Sequence, residues 1–293
     1  MDFMGRDGFT WFVGVVEDVA DPLQVGRARV RALGFHTENK EELPTADLPW
    51  ASMMMPVTSP AVSGLGSTPY LVAGTWVVGF FRDADCQEPI ILGSLPGIPA
   101  SLPDTKLGFN DPNGVYPAEV NESDINKLAR GTQTYTYTPD SILSEPADSY
   151  AAEYPHNKVY ATGSHVKEYD DTAGAERIRE RHKSGTFYQI HPNGDKTTHI
   201  VNDNYTVIAG NDSIHVTGNV QLNIDSNCTT NITGNWDVNV EGDITIDGNT
   251  INLNNGTKGA ARIDDTSTDN DTELNGPDTG IIKTGSGTVF IGD

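Results

Sequence analysis

Between positions 11 and 97 the apolar residues come in short runs, WFVGVVEDV, GRARVRALGF, PYLVAGTWVVGFF and EPIILGSL, separated by Gly, Pro and charged residues. Runs of this length, rich in β-branched and aromatic residues and bounded by turn formers, predict short strands. Several in succession predict a small all-β barrel. From 114 to 155 the pattern fades into scattered Pro, Ser, Thr and Asp without a period of 2 or 3.6, which reads as linker. Strand signals return in KVYATGSHVKEYDD and GTFYQI, followed by the turn PNGD.

The strongest pattern starts at Gly194. Steps of eight land on Gly194, Asn202, Gly210, Gly218, Ser226, Gly234 and Gly242, and the residue after each is Asp or Asn. Gly and Asn tolerate positive φ, so each pair predicts a corner between short strands. Two positions before the successive corners stand Ile200, Ile208, Val216, Ile224, Ile232 and Val240, and Val220, Cys228, Trp236 and Ile244 share their parity. The opposite parity is polar, with His199, His215, Asn223, Asn231, Asn239 and Asp247. Strands of about six residues with one apolar face cannot bury that face alone, so neighbouring walls must enclose it. One octad is too short to circle a coil by itself. Three chains winding about one axis, each giving one wall, solve the geometry, with the six Ile and Val residues as the shared core.

Charge alters the picture in two ways. Lys+Arg 19 against Asp+Glu 41 gives a net charge of -22, which disfavours nucleic acid and anionic lipid as partners. Residues 194–293 hold 4 basic against 15 acidic groups, so half the excess lies in the last third. No run nears the roughly eighteen apolar residues of a membrane helix, and the N-terminus lacks a signal-peptide pattern, which predicts a soluble chain made in the cytoplasm. Cys86 and Cys228 are too few and too far apart for a disulfide framework.

The string WFVGVVEDVADPLQVGRARVRALGFH, followed in order by LPWASMMMPVTSPAVSGLG, GTWVVGFFRD, IILGSLPGI and GFNDPNGVYP, resembles the N-terminal OB-fold domain of the central spike (cell-puncturing) proteins of T4-type contractile phage tails. The resemblance covers about 105 residues. It implies an OB-fold collar that contacts the tail hub and baseplate. The segment 157–194 resembles the lead-in to the shaft in these spikes and in the related spikes of type VI secretion systems. The family has an intertwined trimeric β-helix with a Val-x-Gly octad, which Ile208-x-Gly210, Val216-x-Gly218, Ile232-x-Gly234 and Val240-x-Gly242 match. The pieces KGAARIDDTS and TGIIKTGSGTVFIGD weakly resemble PAAR-type spike tips. Such tips bind zinc through His and Cys, yet residues 216–293 contain no His, and no Cys follows Cys228.

Other chemistry is weighed against this frame. In a strand, Arg27, Arg29 and Arg31 alternate with Ala28, Val30 and Ala32 and put three guanidinium groups on one face. That face is either solvated or meets an acidic or polar partner surface, and the three arginines are the candidate partner contacts. Arg177, Arg179 and Arg181 form a second like-charged row that needs facing acids, for which Glu168, Asp170 and Asp171 on a neighbouring subunit are the candidates. The related spikes carry an inserted lysozyme domain. Forty linker residues cannot hold one, and Glu38 with Asp47 has the right spacing but Met53 stands where the third member, Thr, belongs. A nine-residue calcium repeat is excluded by the period of eight and the inward apolar face. The clustered Asp264, Asp265, Asp269 and Asp271 read as a solvated loop.

The expected architecture is all-β: an OB collar over 1–105, a linker over 106–156, a β segment over 157–193, a triple-stranded β-helix over 194–250 with corners at Gly194, Gly210, Gly218, Gly234 and Gly242, and a small tip over 251–293. The expected function is a structural, non-enzymatic spike in the virion tail baseplate that pierces the host envelope. Its partners are two further copies, hub and baseplate proteins and a separate tip protein; no cofactor, metal or catalytic residue is expected. The alternatives are the spike of a type VI-like secretion system and a polysaccharide-binding or polysaccharide-cleaving tailspike.

Overall fold

The computed structural model describes residues 8–249 apart from 112, together with the backbone of 266–267 and 280–281. It divides into one unit over residues 1–223 and a second over 224–293. Among the described residues the only helical element is a 3-10 turn, Thr45–Asp47, and no helix is long and apolar enough to cross a membrane.

The first five strands, β1 (Thr10–Asp18), β2 (Ala28–Ala32), β3 (Trp50–Met53), β4 (Trp76–Phe81) and β5 (Pro89–Ser94), close a barrel in the order β1-β2-β3-β5-β4. All pairs are antiparallel except β3 with β5. This small closed barrel is an OB fold. The alternation in the sequence sends Phe12, Val16, Ala28, Val30, Ala51, Val77, Phe81 and Ile91 into one apolar core. Phe12 lies opposite Gly79, where any Cβ would run into its ring, so the missing side chain is what lets the aromatic ring cross the barrel.

A second sheet follows in the same unit. Strands β6 (Asn157–Ala161), β7 (Val166–Asp170), β8 (Arg177–Arg181), β9 (Phe187–Ile190) and β10 (Lys196–His199) form an antiparallel meander in chain order. Gly194, at φ +87°, makes the β9–β10 hairpin turn, so this first member of the glycine series serves the sheet. The segment read as linker has no strand between 95 and 156, yet it is not free. Its stretch 126–150 crosses one face of the sheet as a strap and buries Leu128 there. The strap has no hydrophobic period because its contacts are made by individual polar and aromatic side chains.

Beyond β10 the chain is extended and bends at 201–202, 209–210, 217–218, 225–226, 233–234 and 241–242. Among the described residues, 202–249 contain no strand and take part in no backbone–backbone hydrogen bond. The glycines of these bends are not left-handed: Gly210, Gly218, Gly234 and Gly242 have no positive φ, and a Cβ on any of them would meet nothing in the chain. This corrects the expectation that they are there for backbone freedom. In the second unit β11 (Thr266–Ser267) pairs with β12 (Gly280–Ile281). The rest of the tip expected over 251–293, including its acidic cluster, lies outside the described residues.

Candidate functional site: the assembly surfaces

The arginine row of β2 is the first place where structure and expectation part. Arg31 is fully enclosed, at 0% side-chain exposure, and forms a bidentate pair with Glu17 of β1, with Nε at 2.5 Å and Nη2 at 3.2 Å. Nη1 donates to the carbonyl of Thr37 (2.6 Å) and Nη2 to that of Leu43 (2.8 Å), and Thr45 Oγ1 donates to Glu17 at 2.6 Å. The backbone of Gly108 lies so close that a Cβ there would strike the guanidinium. Arg31 is thus a strut inside the protein and not a partner contact. The β2–β3 loop roofs it because a buried arginine needs its donors satisfied. Arg29 donates to the carbonyls of Thr45, Ala46 and Leu48 and stacks on Trp50 at 4.5 Å. Arg27 is half-buried against Asp21. No outward arginine row remains.

What does project from this end of the barrel is apolar. Asp21 accepts backbone N–H groups from Leu23 (3.0 Å), Val25 (2.9 Å) and Arg27 (3.2 Å) as well as the Arg27 side chain. The Arg27 guanidinium beside it holds its carboxyl well below the usual carboxylate range. The β1–β2 loop is thereby fixed with Leu23 and Val25 both 67% exposed. Gly26 packs on Pro69 of the β3–β4 loop, where a Cβ would come within 2.7 Å, and that loop exposes Val57, Leu65 and Tyr70. Both loops leave the same end of the barrel, since β1 and β3 end there and β2 and β4 begin there.

The sheet of β6–β10 buries polar side chains under the strap. Arg177 pairs with Glu168 at 2.7 Å and with Asp148 of the strap at 3.5 Å, and Arg179 meets Asp148 at 2.5 Å. Gln189 and His191 bond to Ser149, His191 also to Thr197, and Asn157 to the Leu128 carbonyl and Glu168. Tyr150 donates to the Leu128 carbonyl at 2.7 Å while the Arg177 guanidinium lies over its ring at 4.8 Å. Burial, with the nearby Glu168 carboxylate, pushes the Tyr150 hydroxyl up to about 12. Arg177 and Arg179 therefore find their acids within their own chain, whereas Arg181 lies over the Tyr135 ring at 4.1 Å. Of the acids expected from the sequence, Glu168 pairs with Arg177, Asp170 accepts from Thr172 and Asp171 meets none of the three arginines; Asp148, which meets two of them, was missed because its aperiodic segment gives no signal.

The six octad residues are all uncovered: Ile200, Ile208, Val216, Ile224, Ile232 and Val240 are between 36 and 51% exposed. The apolar residues between them are barer still, Val207 at 94% and Trp236 at 74%. Among the described residues no group of three His, Cys, Asp or Glu is placed to hold a metal. Both cysteines are free. Glu38 and Asp47 are exposed on the β2–β3 loop.

Residues 34–170 match the family described as the Gp5 N-terminal OB domain. This stretch of the chain is similar to a Gp5 OB domain. It is related to Protein Gp5 of Vibrio phage KVP40 (isolate Vibrio parahaemolyticus/Japan/Matsuzaki/1991), at 38% identity over 259 residues spanning 71% of this chain and 62% of that protein. It is also related to the pre-baseplate central spike protein Gp5 of Enterobacteria phage T4, at 43% identity over 148 residues, 48% of this chain and 26% of that protein. The chain thus spans less than two thirds of either Gp5 relative. The matched segment takes in β3, β4 and β5 of the barrel and runs on to β7, while β1, β2 and the Arg31–Glu17 pair precede it.

Proposed function

We propose that this Gp5 relative is the structural central spike of a contractile phage tail baseplate, and that it works as a homotrimer. The observation that carries the reading is the state of residues 202–249. An extended stretch with an apolar residue at every eighth position and no backbone hydrogen bonds of its own leaves donors, acceptors and hydrophobic surface all unmet. Three such stretches wound together meet all three needs at once. Residues 194–250 then form a triple-stranded β-helix whose core is Ile200, Ile208, Val216, Ile224, Ile232 and Val240. Gly210, Gly218, Gly234 and Gly242 leave room for an adjacent chain, which accounts for glycine where neither φ nor the chain's own atoms require it.

The barrel docks to hub and baseplate proteins, with the rigid apolar loops at Leu23, Val25, Val57 and Leu65 as its contact in place of the arginines. The work is mechanical: a shaft with a shared core and paired backbone transmits contraction force to the host envelope without unraveling. It needs no lysozyme domain of its own. The stretch 126–150 is held against the sheet as a strap, and the exposed Glu38 and Asp47 have no third partner at the required spacing. The sedimentation mass of the purified chain tests the assembly, and a folded monomer at micromolar concentration would refute it. Incubation with peptidoglycan tests the rest: no reducing ends are expected, and turnover lost on changing Glu38 or Asp47 would overturn the non-enzymatic reading.

A further inference from the structure

The β6–β10 sheet has two unlike faces. The strap covers one. The other, by strand alternation, presents Tyr160, Tyr169, Ile178, Tyr188 and Ile190 with no strap of described residues over them; Tyr160 is 64% exposed. At the end of this bare face lies a cavity of about 600 Å³. The registers Tyr160↔Lys167, Lys167↔Glu180, Glu180↔Tyr188 and Tyr188↔Thr198 place those residues in one row across its floor. His165, His182 and Ile200 edge it, the two imidazoles stacked at 4.7 Å. Ile200 is also where the chain leaves the sheet for the octads.

The geometry points to one occupant: the segment 202–208 of a second copy, with Tyr205 as the anchor. The inference rests on the trimer reading and adds a defined site to it, a pocket that one copy supplies and its neighbour fills. Four observations support the match. Tyr205 is 84% exposed and its hydroxyl donates to Asp203 at 3.2 Å, so its own chain gives it no pocket. Val207 is equally uncovered. The charges are complementary: residues 201–249 contain seven Asp or Glu and no Lys or Arg, whereas the cavity holds Lys167 and Arg181 against the single acid Glu180, which pairs with Lys167 at 3.6 Å. The cavity is also continuous with the stretch that must pair between copies, because each copy's exit segment starts at its own Ile200 and runs beside the next copy's exit. A tyrosine seated on an aromatic and imidazole floor with its aspartate toward Lys167 would fix the register at which the octads start to wind.

Cysteine cross-linking of the full chain tests this. In a background with Cys86→Ser and Cys228→Ser, the pair Tyr205→Cys with His182→Cys should give disulfide-linked dimers and trimers on mild oxidation. The pair Tyr205→Cys with Lys158→Cys, whose second site is at the far end of the sheet, should not. A trimer by mass that forms no interchain bond through the first pair, or forms both equally, overturns the pocket assignment and leaves the trimer standing. A monomer by mass removes both. The unmodified chain gives an independent reading by hydroxyl-radical footprinting: Tyr205 should react several-fold more slowly than Tyr154, which is 64% exposed in the single chain. Equal reactivity would overturn the proposal.

Discussion

The barrel and the octad stretch are built from the same kinds of residue and come to opposite ends. In the barrel every strand has two neighbours, the core residues are sealed, and every nitrogen of a buried arginine has a partner. In residues 202–249 a comparable density of Ile, Val and Leu is exposed in the single chain, and the backbone finds no partner among the described residues. The difference lies in where the complementary surface is encoded. The barrel closes because its five runs differ in length, turns and register, so each strand can find one neighbour in its own chain. The octads repeat one unit, and equal short strands with equal corners have nothing within the chain to enclose them. Repetition leaves an apolar face unpartnered among the described residues, and that is the face the proposed trimer would enclose.

The largest effect should come from breaking the outward-looking half. Ile224→Asp sets three carboxylates near one axis of the proposed shaft, where each unpaired buried charge costs several kcal/mol. Assembly should fail outright, read as loss of the trimer mass, while the near-ultraviolet signature of the barrel aromatics persists. Unchanged trimerisation would remove Ile224 from any shared core.

Next comes the strut of the inward-looking half. Arg31→Ala leaves Glu17 buried and unpaired and should cost about 3–5 kcal/mol in barrel stability by chemical denaturation. A cost under about 1 kcal/mol would mean that the enclosure of Arg31 is not maintained in solution. This residue also marks how far the sequence could be read. The barrel strands were legible because short β-branched runs between turn formers have few other fates. The burial of Arg31 was not: alternation puts it on the outer face of β2, opposite Ala28, Val30 and Ala32, as observed, but its cover comes from Glu17, Thr37, Leu43 and Gly108 on other strands and loops. The octad period was legible for the opposite reason, as repetition is a purely local signal. The role of its glycines was misread, since φ is a property of the folded backbone that composition does not carry. Asp148 and Tyr150 were invisible within a segment that has no period at all.

The strap falls between the two halves, being closed within the chain but by polar contacts. Asp148→Asn removes the charge shared by Arg177 and Arg179 and should cost about 2 kcal/mol, the range for hydrogen bonds to charged groups. Amide exchange should rise across residues 128–150 and stay unchanged in β1–β5. Equal exchange in both regions would mean that strap and barrel open together.

The smallest effect is a pH dependence confined to the same strap. Tyr150 is raised from 10.0 to about 12, by burial first and then by the Glu168 carboxylate. Between those values the unfolded chain has given up the phenolic proton while the folded chain keeps it, so the folded state binds more protons and stability falls as pH rises. Below pH 10 the contribution is fully present, and by about pH 12 it is lost. Partial solvent access keeps the effect modest. The expected reading is a local loosening of residues 128–150 in that window, seen as faster proteolysis of the strap. Tyr150→Phe should flatten the dependence, because phenylalanine has no proton to lose, while also lowering stability at neutral pH through loss of the 2.7 Å bond to the Leu128 carbonyl. The two effects separate cleanly. A variant that is weaker at pH 7 and keeps the full alkaline fall would place the titrating group elsewhere, and Tyr137, also raised by burial, would be the next residue to change.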